Sequence, residues 1–387
     1  MHPVLALALV IVAGIGVTRL SRPSLRRPAL LGDLLATGAP FLLLGLLLGP
    51  GLGVIDVAGL HLLEPVVALA LGWTGAMVGA HLEWRMVRRV SSRTWMIGAT
   101  LAIPVLLATM VMAVILARAL PALAESWGHP SLAVALALGG ALTTATSQRG
   151  PRLGRRNALM DTAFGAGAVA VAAALDHPHT AVRTLALTLL AGGACGGLFV
   201  VLARAGLLPD PSETGIAALA VILCGAGFSY AAGLSPFVVC GLAAAIFMSF
   251  SPAEVRRAIA AVLSRWEIPL YAAFLIVAGA LLRPMSVWVL PAAAILALLR
   301  VLVRWVTARF GLEVDPVWRS LPFAPPPEFA HSPIRQGASA VALAAGFDLV
   351  RGASGAVLVT VLLSVIAAET IAALTPLTAR PRSAEVT

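Results

Sequence analysis

Apolar runs, mostly of about 17 to 25 residues, recur along the whole chain and limit its fold more than any other feature. As a helix, a run of that length spans a hydrocarbon core of about 30 Å at roughly 1.5 Å per residue. Inside a bilayer no water completes the hydrogen bonds of the backbone, so each run must satisfy its own as a helix. We count about 13 runs: 4–17, 34–48, 62–81, 95–117, 131–146, 157–175, 182–205, 214–230, 236–250, 267–282, 287–307, 337–349 and 355–374. Of the 387 residues 60% are hydrophobic and 11% charged, against about a quarter charged in a soluble domain. The expected fold is an all-α polytopic membrane protein.

The formal net charge of +10 comes from a chain without lysine. Its arginines cluster at 85–93, 149–156, 256–265 and 309–335, with Arg380 and Arg382 in the tail. That distribution marks membrane topology and not a nucleic-acid surface, so membrane lipids are the expected partners and nucleic acid is not. Alternation of these clusters with the spans predicts an N-terminus outside and a C-terminus inside. The first run has no Lys or Arg before it and Arg19, Arg22, Arg26 and Arg27 after it, the reverse of a cleavable signal. With no organellar targeting segment and an alanine-rich, lysine-free composition, the expected location is a bacterial inner membrane. Residues 1–376 read as one transmembrane domain and 377–387 as a short cytoplasmic tail. Cys195, Cys224 and Cys240 lie singly in apolar runs and receive no role.

Two spans read as interrupted. In "ALTTATSQRG" a cluster of small polar residues ends the fifth, and in "SPIRQGASAVALAAG" proline and glycine open the twelfth. At such breaks hydroxyls and freed carbonyls can hold a cation. The two lie seven spans apart, an odd step that opposes their orientations as an inverted-topology repeat requires. Tight packing of small residues is the plainer account of the same letters. The long polar connection 309–336, with its rigid "APPPEF", reads as a cytoplasmic tether.

An ionisable side chain within a span is costly and by default functional. Twelve of the 17 acids fall in loops or at span ends; Glu64, Asp161, Glu267, Asp348 and Glu369 remain. Asp161 stands about one turn inside the sixth span, at the head of "DTAFGAGAVAVAAAL". The eleventh carries Arg300 and Arg304 on one face at i and i+4. Arg300 is the deeper and needs an anion, for which Asp161, Glu64 and Glu369 are available; Arg304, nearer the expected end, is read as reaching to the interface. No HExxH, GxSxG or GxxxxGK occurs, and the "DHPHT" histidines fall in a short external turn. No enzymatic chemistry is expected.

The ordered series "FLLLGLLLGPGLGVID", "ALALGWTGAMVGAHLEWRMVRR", "LTTATSQRG", "ALMDTAFGAGAVAV", "GLSPFVVCGLAAAIFMS", "WEIPLYAAFLIVAGALLRP", "LLRVLVRWVTARFG" and "SPIRQGASAVALAAGF" resembles the membrane domain of the monovalent cation:proton antiporter (sodium/hydrogen exchanger) family. The resemblance covers about residues 31–374. It implies two broken crossing helices, a homodimer, and no cofactor beyond the transported H⁺ and Na⁺ or K⁺. It places the ion-binding aspartate at Asp161 and the unwound element at Thr146 and Ser147, with Thr144 beside them. It places the basic residue at Arg300 or Arg304 without deciding between them; depth favours Arg300. The family's acidic pair is reduced here to Met160-Asp161 or, in the other register, Asp161-Thr162, and its lysine is replaced by arginine, which holds its proton at physiological pH.

The expected function is electroneutral exchange of a proton for a monovalent cation at one buried carboxylate, with Arg300 as a fixed structural charge. Two readings stand beside it: a degenerate antiporter fold serving as a non-transporting binding or structural module, and a carrier of organic anions using the arginines.

Overall fold

The computed structural model describes residues 39–51, 57–82, 88, 92–128, 131–145, 152–176, 178–207, 210–280, 286–314, 337–351 and 355–374. The expected first span, Thr146, Ser147, most of the 309–336 connection and the tail lie outside them, as do the side chains of Glu267 and Glu369.

The described residues form helices and no strand. In chain order these are α1 (Ala39–Leu46, continued by a π turn Leu47–Gly51), α2 (Val57–His81), α3 (Ser92–Ala119), α4 (Pro121–Ser126), α5 (Leu132–Thr143), α6 (Arg152–Leu175), α7 (Ala181–Arg204), α8 (Pro211–Ala231), α9 (Pro236–Phe250), α10 (Ala253–Ala280), α11 (Val289–Val314), α12 (Gly337–Arg351) and α13 (Ala356–Leu374). Apart from the short α4, each matches an expected span. Several run longer than expected, two of them by seven residues or more at one end. α10 starts 14 residues before the expected position 267, because Val255, Ile259 and Leu263 repeat at i, i+4 and i+8 and bury one face of the arginine-bearing stretch. α11 continues to Val314 instead of ending at 307.

Four segments, Gly98–Ala119, Ala181–Arg204, Ser212–Ala231 and Val289–Thr307, are long and apolar enough to cross a membrane. Their outward faces explain why they are this apolar. On α3, Ile103, Leu107, Val111 and Ile115 form an exposed stripe at i, i+4, i+8 and i+12, and on α11 Leu298, Leu302 and Trp305 form another at i, i+4 and i+7. In water such stripes would drive association; against acyl chains they are the correct surface. The protein is a multi-pass membrane protein.

Two helix sets meet in the region that matters for function. α3, α5 and α6 pack on one another, α11 and α12 pack on α13, and the sets join through α3–α11, α5–α12, α6–α12 and α5–α13. The two helices next to the sequence breaks, α5 and α12, are therefore in contact. The remaining helices are held by close backbone approach. A side-chain carbon at Gly75 or Gly79 of α2 would overlap the backbone carbonyls of Phe237 and Gly241 on α9, so these helices touch main chain to main chain. Beside them Trp73, Phe199, Phe247, Ile259 and Leu263 form a second apolar cluster, in which the Phe199 and Phe247 rings stand 5.1 Å apart, tilted by 46°. Gly79→Ala is expected to push α2 from α9 and cost about 1–3 kcal/mol, read as a lower unfolding temperature in detergent.

Candidate functional site

α5 begins with a sequence-encoded cap. The Ser131 hydroxyl accepts a hydrogen bond from the Val134 N–H at 3.2 Å. It ends at the cluster of small polar residues, where Thr144 turns to φ −59°, ψ 145° and leaves the helix. A helix end exposes carbonyls that have no partner in the next turn, together with the negative end of the helix dipole. Here two arginines of α11 take them. Arg300 donates from Nε to the Leu142 carbonyl at 2.7 Å and from Nη2 to the Thr144 carbonyl at 3.0 Å. Arg304 donates from Nη2 to the Thr143 carbonyl at 2.6 Å. The hydroxyls of Thr143 and Thr144 turn back onto their own helix, donating to the Gly139 and Ala141 carbonyls.

Asp161 reaches this cluster from α6. The same Arg304 Nη2 lies 2.7 Å from Asp161 Oδ2. Both partners are buried, Asp161 at 1% and Arg304 at 2% exposure, and Arg300 at 0%. The pair is single-pronged: Asp161 Oδ1 and Arg304 Nε are buried without a hydrogen-bond partner among the described residues. α6 comes this close to α5 because glycines face each other. A carbon added at Gly165 would overlap the Gly140 carbonyl, and the two helices pack along their length.

One expectation about the arginines is corrected. Arg304 does not reach to an interface; it is the residue that pairs with Asp161. The reason is packing: α11 lies against α3 and α13, and its arginine-bearing face meets the end of α5 and Asp161 of α6. Arg300, expected to need the carboxylate, is held instead by backbone carbonyls. Those carbonyls were expected to serve a transported cation; Leu142, Thr143 and Thr144 serve two guanidinium groups. The signal in the sequence was the i, i+4 spacing of the arginines, which predicted a shared face but not which partner each would meet.

Two of the other singled-out acids, Glu64 and Asp348, are engaged elsewhere. Glu64, half-buried, accepts from the Tyr230 hydroxyl at 2.7 Å and joins α2 to α8. Tyr230→Phe is expected to leave ion exchange unchanged and to cost about 1 kcal/mol of stability, measurable by thermal unfolding. Asp348 caps the start of α13, its Oδ2 accepting from the Leu358 N–H at 2.8 Å. It belongs to a polar group at the other end of α5, about 18 Å away by helix length. There Arg351 donates to the Trp127 and Gly128 carbonyls at 2.8 and 2.7 Å and meets Asp176 at 3.3 Å, and the Trp127 indole donates to Thr360 at 3.0 Å. Sequence inspection gave Arg351, Trp127 and Asp176 no role, since their partners lie up to 233 positions away.

No protein-family model and no curated protein matches this chain. Solved structures do. The chain is similar to the sodium proton antiporter MjNhaP1 from Methanocaldococcus jannaschii at pH 8, with a TM-score of 0.64, 16% identity, and coverage of 98% of this chain and 99% of that one. A second structure of MjNhaP1, from an electron-microscopy map, aligns with a TM-score of 0.57 and 14% identity over the same shares. At these identities the likeness is one of fold, along nearly the whole length of both chains. It is the fold that the ordered sequence motifs implied.

Proposed function

We propose that this chain is a secondary active transporter, not an enzyme, that exchanges protons for a monovalent cation, Na⁺ or K⁺, at Asp161. The observation that carries the reading is a carboxylate at 1% exposure beside the C-terminal end of α5, with one oxygen unpartnered among the described residues. A carboxylate in that position is expensive unless it has work to do. A proton and a small cation compete for it, and competition for one group couples the two fluxes in opposite directions. Thr144, with Thr146 and Ser147 next along the chain, would supply oxygens to replace part of the ion's hydration shell. Arg304 and Arg300 keep their charge at physiological pH, so the site gains one positive charge whether it loads a proton or a cation. Exchange is then one for one and electroneutral. A homodimer in a bacterial inner membrane, with the N-terminus outside and the C-terminus in the cytoplasm, completes the proposal.

The test is collapse of an imposed pH gradient in proteoliposomes on separate addition of Na⁺, K⁺ and Li⁺, with membrane current recorded alongside. Collapse by one or more cations without current is expected. Current that tracks the flux would overturn the stoichiometry.

One observation favours a second reading, the non-transporting module: Arg300 and Arg304 already occupy the freed carbonyls, and Arg304 also pairs with Asp161. Silence of the gradient assay across a broad pH range would establish it.

A further inference from the structure

We propose that the exchanged ion is taken at Asp161 Oδ1 while Arg304 stays on Oδ2 throughout. Arg304 is then a permanent strut between the carboxylate and the end of α5, not a counter-ion that leaves when substrate arrives. This deepens, and rests on, the exchange reading above.

The strut follows from how the arginine is held. A single nitrogen, Nη2, donates both to the Thr143 carbonyl at 2.6 Å and to Asp161 Oδ2 at 2.7 Å. Withdrawing it from Asp161 means giving up the helix-end carbonyl or dragging that carbonyl along. The carbonyls on either side, of Leu142 and Thr144, are themselves fixed by Arg300, so the end of α5 cannot yield locally. A displaced Arg304 would also remain a buried charge beside its neighbour Arg300, with no second described carboxylate bonded to it. By contrast the other face of Asp161 is ready for a ligand. Oδ1 is buried, meets no donor among the described residues, and offers both lone pairs. Arg304 Nε, also unpartnered, shows that the guanidinium has not turned to close a two-pronged pair, which would have covered Oδ1.

Arg304 is thus a positioning residue. It fixes one oxygen of the carboxylate to the broken helix and leaves its neighbour for a proton or for Na⁺ or K⁺.

Amide hydrogen exchange on the full-length protein in detergent or nanodiscs tests this, comparing NaCl or KCl with choline chloride at equal pH. If Arg304 stays, cation slows exchange around Asp161, in peptides covering 159–165, while amides at 139–145 change by less than about twofold. If Arg304 is displaced, the end of α5 loses its anchor and its amides speed up by about tenfold or more on adding cation, which overturns the proposal. Two variants separate the strut from folding. Asp161→Asn keeps an oxygen for Arg304 and should leave 139–145 as protected as in wild type, without a cation response; Asp161→Ala should loosen it. Equal loosening by both variants would also refute the strut. Absence of any cation effect in wild type, with a silent gradient assay, would instead reject the exchange reading itself, and the strut's role in transport with it.

Discussion

Asp161→Asn abolishes cation-driven collapse of the pH gradient, leaving vesicles no more responsive than empty ones. This is the largest functional effect expected of any single substitution in the chain. The amide is close in shape to the carboxylate and still accepts from Arg304, so the fold should persist. What it lacks is a group that titrates and a charge that draws a cation out of water. Thermal unfolding and gel-filtration profiles measured on the same preparation show whether the variant is intact. An intact variant that still exchanges would remove Asp161 from the centre of the mechanism. The non-transporting module makes the opposite forecast, that wild type and variant are equally silent.

Arg304→Ala gives the largest expected effect on stability. Truncation leaves the Asp161 carboxylate buried without its partner and the Thr143 carbonyl without a donor. Breaking one side of a buried pair typically costs about 3–5 kcal/mol, a large part of what holds most proteins folded. The matching experiment is a double-variant cycle. If the loss comes from the stranded carboxylate, Asp161→Asn combined with Arg304→Ala should be more stable than Arg304→Ala alone. Equal instability of the double and single variants would assign the effect to the lost carbonyl contact. Arg304→Lys is expected to retain much of the stability, because one nitrogen makes both of the observed bonds and an ammonium can do the same.

Legibility in the sequence followed the range of the forces involved. Span length, charge clusters and the small polar break at "ALTTATSQRG" are local patterns. They located α1 to α3 and α5 to α13 and the end of α5, because a helix in lipid is dictated by its own residues. The extra turns at the start of α10 were hidden by a rule that treats arginines as ending a span, whereas Val255, Ile259 and Leu263 bury one face of that basic stretch. Arg304 was misjudged for a different reason: its burial depends on which helices cover its face, which spacing along α11 does not encode.

By itself the sequence determined that the chain is a bundle of membrane helices, that Asp161 is a costly charge within one of them, and that the fifth span ends within "ALTTATSQRG". It also determined that Arg300 and Arg304 share a face. Only the tertiary structure decided that Arg304 takes Asp161 while Arg300 takes the carbonyls of Leu142 and Thr144, and that Glu64 and Asp348 are used elsewhere. The physical reason is that hydrophobicity and helix breaks act along the chain, within a few residues. The choice of partner for a buried charge depends on the rotation and approach of helices more than a hundred residues apart, here set by the facing glycines Gly140 and Gly165 and by the packing of α11 on α3 and α13.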